Sequence, residues 1–205
     1  MLQPSAVRQQ ASCPITAEMP ETVMPFDRDD LPTPPGSVTF SGGHVVLGRR
    51  IAAVKRVLLT GMSGTGKSSV IQALSARGFK AVDTDDGWCE PVPDGRQRWR
   101  EDAIGQLLDT EDAEVLFVAG CEENQVRFHP RFDLIILLSA PGEVLAQRLA
   151  SRTTNSYGRA PGELERVQAD LQAVEPRLRK AATYEIRTTM PLDDVVAQVL
   201  HLAGS

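Results

Sequence analysis

The string Gly61-Met62-Ser63-Gly64-Thr65-Gly66-Lys67-Ser68 follows the apolar run Val57-Leu58-Leu59-Thr60 and precedes a stretch whose apolar residues recur at helical spacing. It satisfies the pattern G-x-x-x-x-G-K-[ST] in full. Strand, glycine turn and helix, in that order, let consecutive backbone N–H groups close on a phosphate chain. Glycines keep side chains out of the way, and the helix N-terminus adds partial positive charge. The expected ligand is ATP, held over Gly61, Ser63, Gly64, Thr65, Gly66, Lys67, Ser68 and Ser69. Lys67 would bridge the β- and γ-phosphates, and Ser68 would lend its hydroxyl to Mg²⁺.

From Arg56 onward, short apolar runs alternate with amphipathic ones. Strands are expected at residues 57–60, 79–82, 115–121, 133–139 and 184–188. Helices are expected at 67–77, 98–108, 141–152, 163–174 and 192–202. Gly78 would stop the first helix, and Pro176 would break or kink the fourth. This alternation predicts an α/β fold of three layers: a parallel five-stranded sheet with helices on both faces, right-handed crossovers and a small lid.

Seven of the 14 prolines fall within the first 35 residues, a stretch without apolar periodicity. Residues 1–54 are therefore expected to be a proline-rich extension, partly disordered, and residues 55–205 the domain. Within the extension, 37–47 reads either as a short hairpin around Gly42-Gly43 or as more loose chain.

Composition excludes several classes. With 22 Lys+Arg against 27 Asp+Glu and a net charge of -5, there is no diffuse basic surface for nucleic acid or anionic membrane. The longest apolar runs, 115–120 and 134–138, are far short of the ~20 residues of a membrane span. Cys13, Cys89 and Cys121 are odd in number and contain no C-x-x-C pair, which suits a reducing compartment. The first fourteen residues lack the apolar core of a signal peptide, so a cytoplasmic location is expected. His44, His129 and His201 form no metal set, and no N-K-x-D motif marks a switch GTPase. A monomer or homodimer is expected, with a small-molecule acceptor as its only partner.

The run 115–119 is followed by Gly120-Cys121, where a Walker B carboxylate would ordinarily stand. The metal's carboxylate must come from elsewhere, and Asp83-Thr84-Asp85-Asp86 follows the second strand. Ligands of open α/β sheets lie beyond the carboxyl ends of the strands. On an extended segment Asp83 and Asp85 point the same way. Asp83 would hold Mg²⁺ through water, and Asp85 would hold an attacking hydroxyl or take its proton. Arg152 and Arg159 bracket the loop 153–161, which reads as a lid excluding water from transfer. Arg148, one turn before Arg152, reads either as a solvated helix face or as a phosphate-directed group.

Together these segments resemble the P-loop nucleoside and small-molecule kinase group, which includes shikimate, gluconate and adenylate kinases. Shikimate kinase is the nearest pattern, over residues 56–203. The resemblance implies that Asp83 serves the metal, Asp85 the acceptor hydroxyls, Arg152 the adenine face and Arg159 the lid. Trp99-Arg100-Glu101 is similar to an element whose arginine holds an acceptor carboxylate. Arg187-Thr188-Thr189-Met190-Pro191 stands where the group forms its adenine loop, which assigns Arg187 and Pro191 to the nucleotide.

Two departures concern the acceptor. Ala119-Gly120-Cys121-Glu122 replaces a Gly-Gly-Gly run, and Pro176-Arg177-Leu178-Arg179 does not match a later arginine element. The acceptor pocket would then include Asp85, Trp88, Cys89, Arg96, Arg100, Gly120, Cys121, Glu122, Glu123, Asn124 and Gln125. Trp88 and Trp99 would stack on a substrate ring or fill the core. Cys121 reads as a small buried hydrophobe rather than a nucleophile, and His129 as local packing. The expected activity is transfer of the ATP γ-phosphoryl group to a hydroxyl or phosphate of a small polar metabolite, assisted by Mg²⁺. The alternative is an ATP-binding regulatory protein or slow ATPase without such an acceptor.

Overall fold

Successive residues of a strand face opposite ways, and the central strands here divide their apolar side chains accordingly. A computed structural model of the protein describes residues 53–93, 96–151 and 163–204, with the backbone alone at 163–168 and 170. The proline-rich extension up to residue 52, its expected hairpin at 37–47, and the expected lid with Arg152 and Arg159 lie outside these residues.

Five parallel strands, β1 (Lys55–Thr60), β2 (Lys80–Asp83), β5 (Val115–Ala119), β6 (Leu134–Ser139) and β7 (Tyr184–Arg187), form one sheet in the order β2-β5-β1-β6-β7. Val57, Leu59, Phe117, Ala119, Ile136 and Leu138 face helices α1 (Lys67–Ala76) and α5 (Leu192–Ala203). Leu58, Leu116, Val118 and Ile135 face the other way, onto Ile104, Leu107 and Leu108 of α2 (Glu101–Leu108) and onto Trp99 and Phe128. On that second side Leu137 meets Leu145 of α3 (Gly142–Ser151) and Val174 and Leu178 of α4 (Glu163–Ala181). Full burial of each such side chain contributes roughly 1.5–3 kcal/mol. The expected parallel five-stranded sheet with helices on both faces is therefore present.

Three local expectations change. The helix expected at 98–108 begins only at Glu101, because Gln97–Trp99 is a strand, β4, paired antiparallel with β3 (Cys89–Pro91). Trp99 is fully buried there, and that burial overrides local helical spacing. The segment after β5 holds a 3₁₀ helix, Glu123–Arg131. Pro176 does not break α4, which stays helical past it to Ala181. A proline leaves the carbonyl four residues back without its N–H. Here that residue is Gln172, which is exposed, as is Pro176, so water can serve the carbonyl. Among the described residues no helix is long and apolar enough to cross a membrane.

Candidate functional site

At the carboxyl end of β1 the chain turns through Gly61 with φ +147, and a Cβ there would lie 2.3 Å from the Leu138 carbonyl oxygen of β6. Only glycine permits so close a passage across the neighbouring strand. The loop is then tightened from within. Thr65 Oγ1 donates to the Met62 carbonyl at 2.8 Å, and Met62 is buried against Cys121, Leu145 and Val174. α1 opens with no side-chain cap and no acidic residue in its first turn. Its leading N–H groups thus face outward as donors, where the helix charge favours an anion. Lys67, buried to 8% exposure, donates from Nζ to the Gly61 and Met62 carbonyls at 2.7 and 3.3 Å. A phosphate oxygen at the loop would compete for that ammonium group.

Beside the loop lies a cavity of about 340 Å³. Gly64, Thr65, Gly66 and Ser69 supply its polar lining, and Val70, Met190, Leu192 and Val195 its apolar one. Arg148 stands between the two. It donates to the Gly64 carbonyl at 3.2 Å and to Thr188 Oγ1 at 3.0 Å, and its second nitrogen donates to the Thr188 carbonyl. Thr188 is anchored in turn, its N–H donating to Ser139 O at 2.8 Å. Arg148 is therefore neither a solvated side chain nor a distant one. Arg187 and Pro191 do not line the cavity, whereas Thr188, Met190 and Leu192 do. The pleat of β7 explains this: Ile186 points into the core, so Arg187 shares the outer face with Glu185 and helps hold that carboxyl down, at about 2, behind the larger effect of Arg179. Pro191 caps α5 through its carbonyl, which accepts from Asp194 and Val195.

The acidic segment after β2 is a turn rather than an extended stretch. Asp83 pairs with Ala119 across the β2–β5 ladder, and Asp83 Oδ1 accepts the Asp85 N–H at 3.2 Å. The two aspartates are thus held together by a turn hydrogen bond that uses one oxygen of Asp83. Among the described residues no group of three His, Cys, Asp or Glu is placed to hold a metal by itself. The Ser68 hydroxyl and the Asp83 carboxylate are oxygen donors of the kind Mg²⁺ takes together with waters and substrate phosphates. Ser68 and Asp83 are the residues that would hold it.

Opposite this turn, Glu122 follows Cys121 at the end of β5. Burial, and then the charges of Asp85 and Cys121, push its carboxyl up to about 8, while Lys67 works the other way. Glu122 is thus a carboxyl within electrostatic reach of both Lys67 and Asp85.

The remaining expected acceptor residues divide into two groups. Arg100 and Asp85 are exposed, and Arg100 donates weakly to Gly87 O at 3.4 Å. Trp88 is half-buried against the core. The others make contacts within the scaffold. Arg96 pairs with Glu123 at 2.6 Å. Asn124 Oδ1 accepts the Trp99 N–H at 2.9 Å, and its Nδ2 donates to Trp99 O at 3.0 Å. Gln125 is buried and accepts from Thr60 at 2.9 Å. Cys89 donates to Thr84 O at 3.3 Å, and its thiol is pushed up to about 12, first by burial and then by the carboxylates of Glu122, Asp85 and Asp83. Cys121 is buried among apolar side chains. Gly120 turns its Cα toward Thr84 and Trp99, where a Cβ would fall 2.2 Å from Thr84 Oγ1. The residue that the sequence left undecided is Arg148. Its only signal there was the four-residue spacing to Arg152, which a solvated helix face produces equally well.

Comparison with known proteins agrees with this fold. A family model described as an AAA domain matches residues 57–171. A curated protein of Archaeoglobus fulgidus, named as a candidate adenylate kinase, is 29% identical over 154 residues, 70% of this chain and 79% of that one. Among solved structures, the shikimate kinase of Acinetobacter baumannii in complex with shikimate superposes with a TM-score of 0.56 at 16% identity, over 74% of this chain and 94% of the other. A gluconokinase from Sinorhizobium meliloti 1021 does so with a TM-score of 0.52 at 23% identity, over 76% and 94%. These structures share the fold of the chain.

Proposed function

Since this chain belongs to the AAA domain family, we propose that it is an ATP-dependent kinase of a small polar metabolite, transferring the γ-phosphoryl group to a hydroxyl or phosphate of the acceptor. The observation that carries this reading is the uncapped N-terminus of α1 beside a cavity whose lining passes from loop backbone to Val70, Met190, Leu192 and Val195. Polar donors at one part and apolar walls at another suit a ligand made of phosphates and a flat base.

In this reading the triphosphate lies along the loop amides, and Lys67 leaves the Gly61 and Met62 carbonyls to neutralise the γ-phosphoryl oxygens. Bound Mg²⁺, held by Ser68 and through water by Asp83, would supply charge neutralisation on the phosphates. Asp85 orients the acceptor hydroxyl and takes its proton, and Arg100 contacts the acceptor from the far side. Arg159 would add its charge from the lid. Catalysis is positioning and charge stabilisation, with no covalent enzyme intermediate. A cytoplasmic chain, monomeric or homodimeric, is part of the same proposal.

The alternative, an ATP-binding regulator or slow ATPase, draws support from the acceptor side, where Arg96 is paired with Glu123 and Trp99 is wholly buried. One experiment separates the two: ATP consumption with Mg²⁺ in the presence and absence of nucleosides, nucleotides and hydroxylated metabolites. Acceptor-dependent consumption supports the kinase, and binding with acceptor-independent or no turnover supports the regulator.

A further inference from the structure

Between Asp83 and Asp85 sits a residue that is absent from the cavity lining. Thr84 has no exposed surface. Its N–H and its hydroxyl both donate to Ala119 O, at 2.9 and 2.7 Å. Its Oγ1 accepts the indole N–H of Trp99 at 2.8 Å, and its carbonyl accepts from Cys89. A hydroxyl has one proton and two acceptor sites. With the indole N–H occupying an acceptor site, the proton is directed to Ala119. Trp99 is itself fixed at both backbone polar atoms by Asn124 of the 3₁₀ helix. The absent side chain of Gly120 leaves the space in which threonine and indole meet.

We propose that Thr84 is a positioning residue of the transfer step, through which the β3–β4 hairpin and the end of β5 hold Asp83 and Asp85 in register with the acceptor wall. The proposal rests on the kinase reading. A chain of contacts runs from Asn124 to Trp99, from Trp99 to Thr84, and from Thr84 into the peptide units that carry both aspartates. The hairpin presents Trp88 and Arg100 to the acceptor, so one buried joint sets both the acceptor's wall and the carboxylate that orients its hydroxyl. The phosphate loop has no hydrogen bond to this joint among the described residues. The joint should therefore act on transfer through Asp85 more than on ATP binding at the loop.

The test compares Thr84→Val, Thr84→Ser, Trp99→Phe and the double variant T84V/W99F in the full chain, with kcat and the ATP KM measured under acceptor-dependent turnover. Valine keeps the shape and removes the hydroxyl, leaving the indole N–H buried without its acceptor. Small misplacements at a transfer site cost heavily, so Thr84→Val should lower kcat about 10-fold or more, with the ATP KM within about two-fold. Thr84→Ser should restore most of kcat, Trp99→Phe should reproduce the loss, and T84V/W99F should be no worse than T84V alone. Unchanged kcat, a parallel rise in ATP KM, or multiplying losses in the double variant would overturn the proposal. If T84V fails to fold, W99F with its ring in place carries the same comparison. A wild-type chain without acceptor-dependent turnover overturns the kinase reading, and this proposal with it. Turnover that is insensitive to Thr84 and Trp99 overturns this proposal alone.

Discussion

Arg148 and Thr188, forty residues apart, meet through two separate hydrogen bonds, one to the threonine hydroxyl and one to its carbonyl. The same guanidinium reaches Gly64 O, so one side chain spans the phosphate loop and the wall that follows β7. Arg148→Met should raise the ATP KM about 10-fold, the worth of one lost charged hydrogen bond, and change kcat less. Arg148→Lys should fail to rescue, because an ammonium cannot reproduce the planar fork. Initial rates across an ATP titration decide this, and full rescue by lysine would contradict the bridging role.

Lys67→Ala should abolish ATP turnover, by about 100-fold or more, while the far-UV circular dichroism spectrum stays that of wild type. The lysine's current partners, Gly61 O and Met62 O, lie in a loop also held by Thr65, so the fold does not depend on it. Retained turnover would refute the assignment.

Asp85→Asn should cut acceptor-dependent transfer far more than ATP binding measured by calorimetry. Asp85 is exposed at the turn after β2, away from the cavity lining. Equal loss of both would contradict the separate roles of Asp83 and Asp85.

Glu122 makes stability depend on pH with a defined sign. Its carboxyl titrates near 4.5 in a free chain and is raised to about 8 in the fold. Between those values the folded state keeps a proton that the unfolded chain has released, so this group's contribution to stability falls as pH climbs and levels off above 8. Glu122→Gln removes the slope. Its gain in Tm over wild type should be larger near pH 9 than near pH 5, as thermal melts would register; equal differences at both ends would refute the burial argument.

Gly120→Ala should destabilise the fold by roughly 1–3 kcal/mol, the usual cost of forcing atoms into a packed core. The added Cβ meets Thr84 Oγ1 at 2.2 Å and Trp99 at 2.7 Å, and neither can retreat, since both are fully buried. Urea denaturation monitored by tryptophan emission gives the number. A variant as stable as wild type would mean that the joint is looser than described.

The phosphate loop was legible in the sequence because its chemistry is contiguous: glycines, lysine and serine act within eight positions. The sheet was legible because β1, β5 and β6 are runs of apolar residues that only a doubly covered strand can bury. The hairpin was not. β3 and β4 have three residues each, too few for periodicity, and their stability comes from Trp99 and its distant partners Thr84 and Asn124. The cavity lining near Arg187 was not legible for a related reason. A motif locates a loop to within a few residues, but the strand's pleat decides which of them face inward, and here Thr188 and Met190 do. The break expected at Pro176 is absent because the cost of a proline in a helix depends on who can serve the orphaned carbonyl, and that is decided by exposure.

Met62, inside the phosphate loop, packs in one cluster with Leu145 of α3, Val174 and Leu178 of α4 and Cys121 beyond β5. A fluctuation that lifts Met62 from its seat uncovers apolar surface on both helices at once. The loop, α3 and α4 should therefore open as one cooperative unit, with their slowest amide protons exchanging with solvent at a common rate. Any ligand that quiets the loop slows the two helices with it.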